Sequence, residues 1–405
     1  MTAPTVRTLL ARLTSDGHAA RFVGGCVRDT VAEREVGDVD LATEAPPDRV
    51  MGLLHGRGIR VIPTGLAHGT VTAVVDGAVY EITTLRRDVE TDGRRATVAF
   101  TDDWLGDAAR RDFTINALYL DADGTLFDPT GGLDDLRTGH VRFIGVASER
   151  LEEDALRLLR FFRFHARYGK GAPDAAAMAA CRDFAPRLPG LSGERVWSEF
   201  RRILEGPDPG NALRLMDAAD VLRRVAPGAV ALDRLDRVAG IETGLDLEPS
   251  AIRRLAAVLA PEAGDIAGLA RKLRLSRAES ARLERAVETS ANLIASPDPA
   301  PVGGRLYRWG EGTFGDALAV AWADCRSKRG EESVFERHAR ALAAWVRPVF
   351  PLDGKDAIAL GAAPGPSIGR ALDEVEAWWI GEGFAPGRDA CLPRLAAALQ
   401  PPPES

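Results

Sequence analysis

Cysteine is scarce in this chain of 405 residues, which contains only Cys26, Cys181, Cys325 and Cys391. Because these residues are far apart and form no Cys-x-x-Cys pair, neither a disulfide framework nor a zinc site is expected. The six histidines are equally scattered and form no His-Glu-x-x-His motif, so nothing indicates hydrolytic zinc chemistry of that kind.

Long apolar runs are also lacking, since no stretch of about 18 apolar residues occurs. Leucines near the N-terminus alternate with charged residues and predict a short amphipathic helix, not a signal peptide. We therefore expect a soluble, cytoplasmic protein with no membrane partner. A length of 405 residues predicts two or more cores, because a single core seldom grows past about 250 to 300 residues.

The chain has no excess of positive charge, since 52 Lys and Arg face 59 Asp and Glu, for a formal net charge of −7. Such a chain does not coat nucleic acid by bulk electrostatics, so any RNA contact must use a local basic surface. Residues 137–170 offer one, with eight basic residues against four acidic ones.

Two carboxylates stand two residues apart in Gly37-Asp38-Val39-Asp40-Leu41. On a strand, residues i and i+2 point to the same side, so Asp38 and Asp40 would lie as like charges on one face. A divalent cation supplies the missing counter-charge, and a pair of cations can activate a hydroxyl while shielding a leaving pyrophosphate. An isolated Asp-x-Asp would favour an ordinary turn, but a Gly-Gly pair upstream favours the metal site.

That glycine pair, Gly24-Gly25, follows an apolar run that predicts a strand ending at Val23. It lets bare backbone N–H groups approach an anion at the start of a predicted helix, where Arg28 adds a forked cation. A tight strand-to-helix turn explains a glycine pair equally well by itself. Glycines for phosphate and carboxylates for metal in one short unit indicate nucleotide chemistry, because a nucleoside triphosphate brings both partners.

A predicted β-hairpin follows, with strands at residues 71–75 and 79–84 around an Asp-Gly turn. Glu81 lies near the centre of its second strand. This residue is either a solvated cross-strand residue or the third carboxylate of the metal site.

Farther along, Arg110 and Arg111 can clamp phosphate, while Asp112 and Asn116 are spaced to hydrogen-bond ribose hydroxyls. Surface charge at a helix N-terminus is the competing interpretation. Another predicted hairpin ends near residue 129, and helical periodicity dominates after residue 137.

Five segments together resemble the bacterial class II tRNA nucleotidyltransferases and their poly(A) polymerase relatives. The resemblance covers roughly the first half of the chain strongly and the rest only as a generic helical region. In chain order the segments are Gly24-Gly25-Cys26-Val27-Arg28-Asp29, Asp38-Val39-Asp40, Glu81, Arg110-Arg111-Asp112 with Asn116-Ala117, and Glu153-Asp154-Ala155-Leu156-Arg157.

The resemblance implies an α+β protein, in which a small mixed-sheet nucleotidyltransferase head precedes an all-helical C-terminal region. Breaks rich in proline and glycine place the domain boundaries. The implied regions are a catalytic head (1–137), a neck with base recognition (138–206), a body (207–296) and a tRNA-contacting tail (297–405).

The implied activity is template-independent addition of C, C and A to the 3′ end of tRNA from CTP and ATP, with no DNA partner. Asp38 and Asp40 are expected to hold Mg²⁺, with Glu81 a weaker third catalytic candidate. The expected nucleotide-binding set is Gly24, Gly25, Arg28, Arg110, Arg111, Asp112, Asn116, Glu153, Asp154, Arg157 and Arg160.

Base choice is assigned to Asp154 and Arg157, which a helix over residues 152–164 would place on one face. Cytosine and adenine both present an amino donor beside a ring-nitrogen acceptor, which a carboxylate and a guanidinium match. Glu153, four residues before Arg157, is expected to orient it. An ordinary surface ion pair is the competing interpretation.

Residues 86–107 are highly charged with little periodicity, which predicts a surface loop. In the family, a flexible loop at this place accompanies addition of the terminal A, so its presence favours full CCA addition. The rivals are a poly(A) polymerase, whose basic-aromatic segment is not matched at residues 61–70, and a catalytically silent RNA-binding scaffold.

Overall fold

The computed structural model describes residues 3–56, 58–92, 95–228, 231–259, 265–295, 302–324 and 331–400. The chain packs as two compact units. Unit 1 comprises Met1–Pro227 with Lys272–Arg274, and unit 2 comprises Gly228–Arg271 with Leu275–Ser405. The finer division into four regions stays a prediction.

A seven-stranded mixed sheet organises the first part of unit 1, with the strand order β3-β4-β5-β2-β1-β8-β9. Its strands are β1 (Ala20–Val23), β2 (Val39–Thr43), β3 (Arg60–Gly65), β4 (Thr70–Val75), β5 (Ala78–Thr84), β8 (Tyr119–Leu120) and β9 (Leu126–Phe127). Strands β2 and β5 are parallel, whereas the other neighbouring strands are antiparallel. Both predicted hairpins are present.

The β4–β5 turn shows why an Asp-Gly pair is favoured between these strands. Asp76 and Gly77 have φ angles of 50° and 81°, the left-handed values that two-residue hairpin turns require. Glycine adopts them without strain and aspartate tolerates them better than most residues. The local chemistry of the turn is therefore consistent with the hairpin register that pairs Glu81 with Thr72.

Residues 86–107 are not one irregular loop, so that expectation is wrong. Strands β6 (Arg86–Asp92) and β7 (Arg95–Phe100) form a separate antiparallel hairpin, and helix α4 (Trp104–Ala109) follows it. The side chain of Asp103 begins α4 by accepting a hydrogen bond from the backbone N–H of Leu105. The high charge of the hairpin conceals the alternation that would otherwise identify strands.

Helices surround the sheet and then make up the rest of unit 1. They are α1 (Pro4–Leu13), α2 (Gly25–Val31), α3 (Pro47–Leu54), α4 as above, α5 (Gly132–Thr138), α6 (Ala147–Glu153), α7 (Arg157–Tyr168), α8 (Ala175–Phe184), α9 (Gly193–Leu204), α10 (Pro209–Ala218) and α11 (Leu222–Val225). Short 3₁₀ turns occupy Leu66–His68, Thr114–Asn116 and Ala185–Gly190.

The expected continuous helix over residues 152–164 is wrong, because the chain breaks between α6 and α7. Asp154 has extended backbone angles (φ −156°, ψ 104°) and its side chain accepts a hydrogen bond from the N–H of Leu156 at 3.1 Å. Aspartate competes for nearby backbone donors and so favours helix ends over helix interiors. The apolar stripe Leu151, Ala155, Leu158 and Phe162 is buried nonetheless.

Helices joined by turns and irregular segments make up the described residues of unit 2. Its helices are α12 (Leu232–Gly244), α13 (Ala251–Val258), α14 (Ile266–Lys272), α15 (Arg277–Ala295), α16 (Val302–Asp324), α17 (Glu331–Ala343), α18 (Gly354–Ala359), α19 (Pro366–Gly381) and α20 (Arg388–Ala398). Among the helices that the structure describes, none has both the length and the apolar character needed to cross a bilayer.

A buried ionic network ties several of these helices together. Glu242 accepts hydrogen bonds from Arg253 and Arg254, both at 2.8 Å, and Asp316 accepts from Arg253 at 2.9 Å and from Arg282 at 2.6 Å. Charges this deeply buried are tolerated only when they are paired and hydrogen-bonded, as they are here.

Candidate active site

The Gly24-Gly25 turn joins β1 to α2, as the sequence predicted. Gly24 has φ 70° and ψ −122°, and its N–H donates to the carbonyl of Leu118 at 3.0 Å. A Cβ at Gly24 would lie 3.5 Å from Nη1 of Arg111, and one at Gly25 would lie 3.7 Å from Nη2 of Arg28. The turn therefore leaves bare backbone beside two guanidinium groups.

The paired carboxylates lie at the start of β2. Asp38 is exposed and immediately precedes the strand, and Asp40 lies directly opposite Glu81 in the parallel pairing of β2 with β5. Burial raises the pKa of Asp40 to about 6, and the negative charges of Glu81 and Asp38 act in the same direction, against the charge of Arg111. Asp40 is thus a carboxylate whose charge the protein leaves poorly compensated.

These residues fit a hard divalent cation as partial ligands. Within the described residues, no hydrogen bond or ion pair to the side chains of Asp38, Asp40 and Glu81 is found, and no group of three or more His, Cys, Asp or Glu is arranged to hold a metal. A ready three-carboxylate site completed by Glu81 is therefore not formed. Mg²⁺ in particular is commonly held by one or two carboxylates, with substrate phosphates and water supplying the other ligands.

Both arginines of the Arg110-Arg111 pair are fixed by one buried carboxylate, Asp107. Arg110 donates to Oδ1 of Asp107 through Nε at 3.0 Å and Nη2 at 2.5 Å, and Arg111 donates to Oδ2 through Nη2 at 3.0 Å. Tyr119 also donates to Oδ2, at 2.8 Å. Burial alone would raise the pKa of Asp107, but Arg111, Arg110 and these hydrogen bonds outweigh it and lower the pKa to about 2.

A second buried network contains Asp112 and Asn116. Asn116 donates to Asp112 at 2.9 Å and accepts from Nη1 of Arg28 at 2.5 Å, while Arg160 donates to Asp112 at 2.7 Å through Nε. Burial favours the neutral acid, yet the charge of Arg160 and these hydrogen bonds keep the pKa of Asp112 below its usual value.

Arg28 is held more tightly than a freely exposed phosphate ligand would be. It forms a bidentate pair with Asp29 at 3.0 Å for both bonds, and its guanidinium lies 4.4 Å from the ring centroid of Tyr168. Tyr168 in turn donates a hydrogen bond to Asp29. The structure thus places Arg28 as a link between α2 and α7, beside the glycine turn.

The two residues predicted to read the base, Asp154 and Arg157, do not lie on one continuous helix, so that expectation is wrong. Arg157 pairs with Glu153, its predicted orienting partner, and donates to the carbonyl of Arg110 at 3.3 Å. Asp154 instead accepts from Arg195 at 2.7 Å. Each of the two side chains thus has its own partner on either side of the break after α6.

Helix α9 contains partners that the sequence reasoning missed. Glu199 accepts from Arg163 at 2.6 Å and lies 3.6 Å from Arg160, while Arg195, one turn earlier, holds Asp154. The i, i+4 spacing of an arginine and a glutamate on a helix rich in apolar residues was a usable signal. Asp107 was also missed, although it lies three and four residues before the arginine pair.

Unit 1 therefore brings the predicted segments into one connected site. Gly24 abuts Arg111, whose charge reaches Asp40, and Arg28 bonds Asn116. Comparisons with known proteins agree with this arrangement. The model of the "Poly A polymerase head domain" matches residues 20–142, and that of the "Probable RNA and SrmB- binding site of polymerase A" matches residues 172–232.

Individual relatives extend the match to nearly the whole chain. The CCA tRNA nucleotidyltransferase 1, mitochondrial, of Homo sapiens is 33% identical over 391 residues, covering 96% of this chain and 88% of that protein. The CCA-adding enzyme of Streptococcus pyogenes serotype M5 is 42% identical over 201 residues, 49% of each chain.

A solved structure gives the same result for the fold. The Bacillus stearothermophilus CCA-adding enzyme in complex with CTP superposes with a TM-score of 0.73 at 27% identity, covering 98% of both chains. The α+β architecture expected from the sequence is thereby confirmed. On the near-full-length identity to the human protein, this chain belongs to the CCA tRNA nucleotidyltransferase family.

Proposed function

We propose that this protein adds C, C and A, without a nucleic-acid template, to the 3′ end of tRNA, using CTP and ATP and releasing pyrophosphate. The observation that carries the proposal is the position of the poorly compensated Asp40 beside Glu81, within reach of the charge of Arg111. A cation would supply the positive charge that the carboxylates lack. A triphosphate would supply negative charge on the side of Arg111.

Nucleotidyltransferases of this family use a divalent metal, and we propose Mg²⁺ held by Asp38 and Asp40, with Glu81 in a supporting catalytic role. When bound, the cation supplies Lewis-acid stabilisation of the charge on the reacting phosphate. The chain contributes two hard oxygen donors at the start of β2. Their mutual repulsion supports this assignment, because it disfavours the metal-free ionised state.

The triphosphate is bound by the backbone of Gly24 and Gly25, by Arg110 and Arg111, and by Arg28 at the edge of the site. Asp107 fixes both arginines before the nucleotide arrives, and it neutralises part of their charge. Preorganised donors need little reorganisation when charge develops in the transition state. Asp112 and Asn116, themselves hydrogen-bonded to each other, lie at the proposed ribose position.

The base is read by Asp154 and Arg157, which accept from the amino group and donate to the ring nitrogen of cytosine or adenine. Arg195 and Glu153 hold these two side chains separately, and Arg160 lies behind them on Asp112. Uracil and guanine would meet the same pair donor to donor and acceptor to acceptor. Base selection then requires no RNA template.

We further propose that the β6–β7 hairpin takes part in the change from C to A. Its base is joined to the arginine pair, because Nε of Arg110 donates to the carbonyl of Arg86 at 2.8 Å. The cytoplasmic location expected from the sequence is retained as part of this proposal, although the similar human protein is named mitochondrial.

The product formed on a tRNA transcript lacking CCA tests the proposal. With all four nucleotides present, we expect three residues to be added, in the order C, C, A, after which extension stops. A long A tract would identify a poly(A) polymerase. A transcript that remains unextended while still binding would identify a silent RNA-binding scaffold.

A further inference from the structure

Most of the basic side chains between residues 137 and 170 are paired with a carboxylate of the protein. Six of the eight, namely Arg137, Arg142, Arg150, Arg157, Arg160 and Arg163, lie within 4.0 Å of a carboxylate. In the part of the chain that the structure describes, Arg167 and Lys170 have no such ion pair. Arg167 and Lys170 are therefore the basic residues of this segment whose charge no carboxylate of the described protein compensates within 4.0 Å.

Arg167 lines a groove of about 380 Å³ between the second half of α7 and the end of α9. Helix α7 contributes Arg163 and Arg167, and α9 contributes Arg202, followed by Glu205. Arg163 is largely buried, whereas Arg167 and Arg202 are exposed. Two exposed guanidinium groups thus flank one that is largely buried and ion-paired.

Positive charge exceeds negative charge in this groove. The carboxylate of Glu205 already accepts from Arg201 at 3.0 Å, and Glu199 accepts from Arg163 at 2.6 Å, leaving Arg202 at 3.8 Å. The pKa of Arg163 lies below its usual value, chiefly through burial, and the positive charges of Arg160 and Arg202 act in the same direction, opposed by Glu199.

A fourth arginine reinforces the cluster from the side of α2. Nη2 of Arg34 donates to the carbonyl of Arg167 at 2.8 Å, and its guanidinium lies 5.0 Å from the ring centroid of Tyr168. Arg167 lies 5.7 Å from the same ring. The ring of Tyr168 therefore lies within cation–π range of Arg34 and Arg167 as well as Arg28, and an arriving anion would add a counter-charge to these cations.

We propose that this groove, defined by Arg163, Arg167 and Arg202, binds a phosphodiester of the tRNA backbone. The proposal rests on the proposed function, since it assigns a contact for the RNA substrate. Guanidinium forks match phosphate oxygens bidentately, and a guanidinium is more weakly hydrated than an ammonium. A chain with a net charge of −7 must gather its RNA contacts in such local clusters.

The position of the groove favours RNA over the nucleotide triphosphate. Arg163 lies one turn after Arg160, and both approach Glu199, so the groove adjoins the proposed nucleotide site without including it. A single strand whose 3′ end enters that site must pass its preceding phosphates across a neighbouring surface. The α7–α9 groove offers that surface with the required charge.

The test compares the binding of a tRNA transcript lacking CCA by the full-length wild type, Arg167→Glu with Arg202→Glu, and Arg167→Lys with Arg202→Lys. The reversed variant should bind at least about tenfold more weakly, and the slope of log affinity against log salt should fall by about 0.7 to 0.9, as expected for the loss of one phosphate contact. The lysine variant should keep most of the affinity. The KM for tRNA should rise. The KM for CTP and the inhibition by pyrophosphate should not change.

A charge-matched control is Arg7→Glu with Arg60→Glu, which changes two other exposed arginines of unit 1. Equal loss in this control, or unchanged tRNA affinity in the groove variant, would overturn the proposal. So would a change confined to CTP or pyrophosphate, which would place the groove in nucleotide binding. If the wild type itself neither binds nor extends the transcript, it is the proposed function that fails.

Discussion

Two sides of the same site treat their charges in opposite ways. On the strand side, Asp38, Asp40 and Glu81 receive no hydrogen bond or ion pair from the described protein, and the pKa of Asp40 is raised to about 6. On the helix side, Arg110, Arg111, Arg157 and Arg160 each have a carboxylate partner within 3.0 Å.

The difference shows which charges the fold supplies and which it leaves to its substrates. A carboxylate left without a partner costs free energy until a cation arrives, so it is tolerated where the cation is part of the chemistry. Arginines that are already paired with a carboxylate are held in position. Their remaining N–H donors are then available to the nucleotide.

Removing the side chains of Asp154 and Arg157, on the helix side, should weaken the selection of C and A over U and G. Selection built on hydrogen bonds can reach about 10⁴-fold, because a mismatched base leaves buried polar groups unpaired. We expect Asp154→Ala with Arg157→Ala to incorporate UTP and GTP at rates approaching those of CTP and ATP, measured by single-turnover extension of tRNA.

The control for this change is Glu152→Ala with Arg187→Ala, which removes an exposed ion pair near the same helix. This control should remain faithful to C and A. If the double variant at Asp154 and Arg157 is equally faithful, base choice resides in other residues, and the α6–α7 break serves only the fold.

Removing the charge of a carboxylate on the strand side should abolish nucleotide incorporation. Metal stabilisation of the transition state is worth several kcal/mol, so Asp38→Asn should lower incorporation in Mg²⁺ by about 10³-fold or more while tRNA affinity stays nearly intact. Glu81→Gln should lose less, because Glu81 is not one of the proposed ligands. A near-normal turnover of Asp38→Asn would remove the basis for the metal assignment.

Removing the charge of Asp107 should leave Arg110 and Arg111 without their carboxylate partner, so that the helix side, like the strand side, has uncompensated charges. Breaking a buried ion pair costs about 3 to 5 kcal/mol, so Asp107→Asn should unfold at clearly lower urea concentration. Asp134→Asn, at an exposed pair with Arg137, should change the unfolding free energy by at most about 0.5 kcal/mol. Equal midpoints for the two variants would contradict the role of Asp107.

The pH dependence of unfolding sharpens the same point. Because folding lowers the pKa of Asp107 from 3.8 to about 2, its contribution to stability is present above about pH 4 and is lost as the pH falls toward 2. The unfolding free energy of the wild type should therefore fall more steeply over this range than that of Asp107→Asn. Parallel curves would show that Asp107 keeps an ordinary pKa.

The smallest effect is expected at the hairpin that joins the arginine pair. Shortening the segment of residues 88–95 should spare CC addition and impair addition of the final A, because the change alters movement near Arg110 without removing a ligand. Gel separation of products ending in CC and CCA measures both steps in one reaction. Equal loss of the two steps would leave the hairpin a merely structural role.

Local sequence patterns predicted the parts of the fold that depend on neighbouring residues. Alternation and the Asp-Gly turn identified β4 and β5, and the glycine pair identified the β1–α2 turn. The break at Asp154 was missed because the stripe from Leu151 to Phe162 keeps its helical spacing through it. The side chain of Asp154 ends the helix by a hydrogen bond that no periodicity records.

Partners distant in sequence could not be predicted in the same way. Arg195 and Glu199 lie 41 and 36 residues after the side chains that they hold, and only the packing of α9 against α7 brings them there. The candidate site residues were chosen from their motifs, whereas their pairing could not be read from those motifs. Charge patterns in the sequence therefore indicated the candidate charged groups. They did not indicate which of these groups would be paired with an opposite charge in the folded protein.

We propose that the arginine side binds the nucleotide and the carboxylate side holds the metal for the reaction. This assignment is tested most directly by comparing CTP binding with CTP incorporation in Asp40→Asn. We predict that this variant binds CTP within a few-fold of the wild type, since the arginine side is intact, yet incorporates it about 10³-fold more slowly in Mg²⁺. Incorporation at a rate close to that of the wild type would contradict the account.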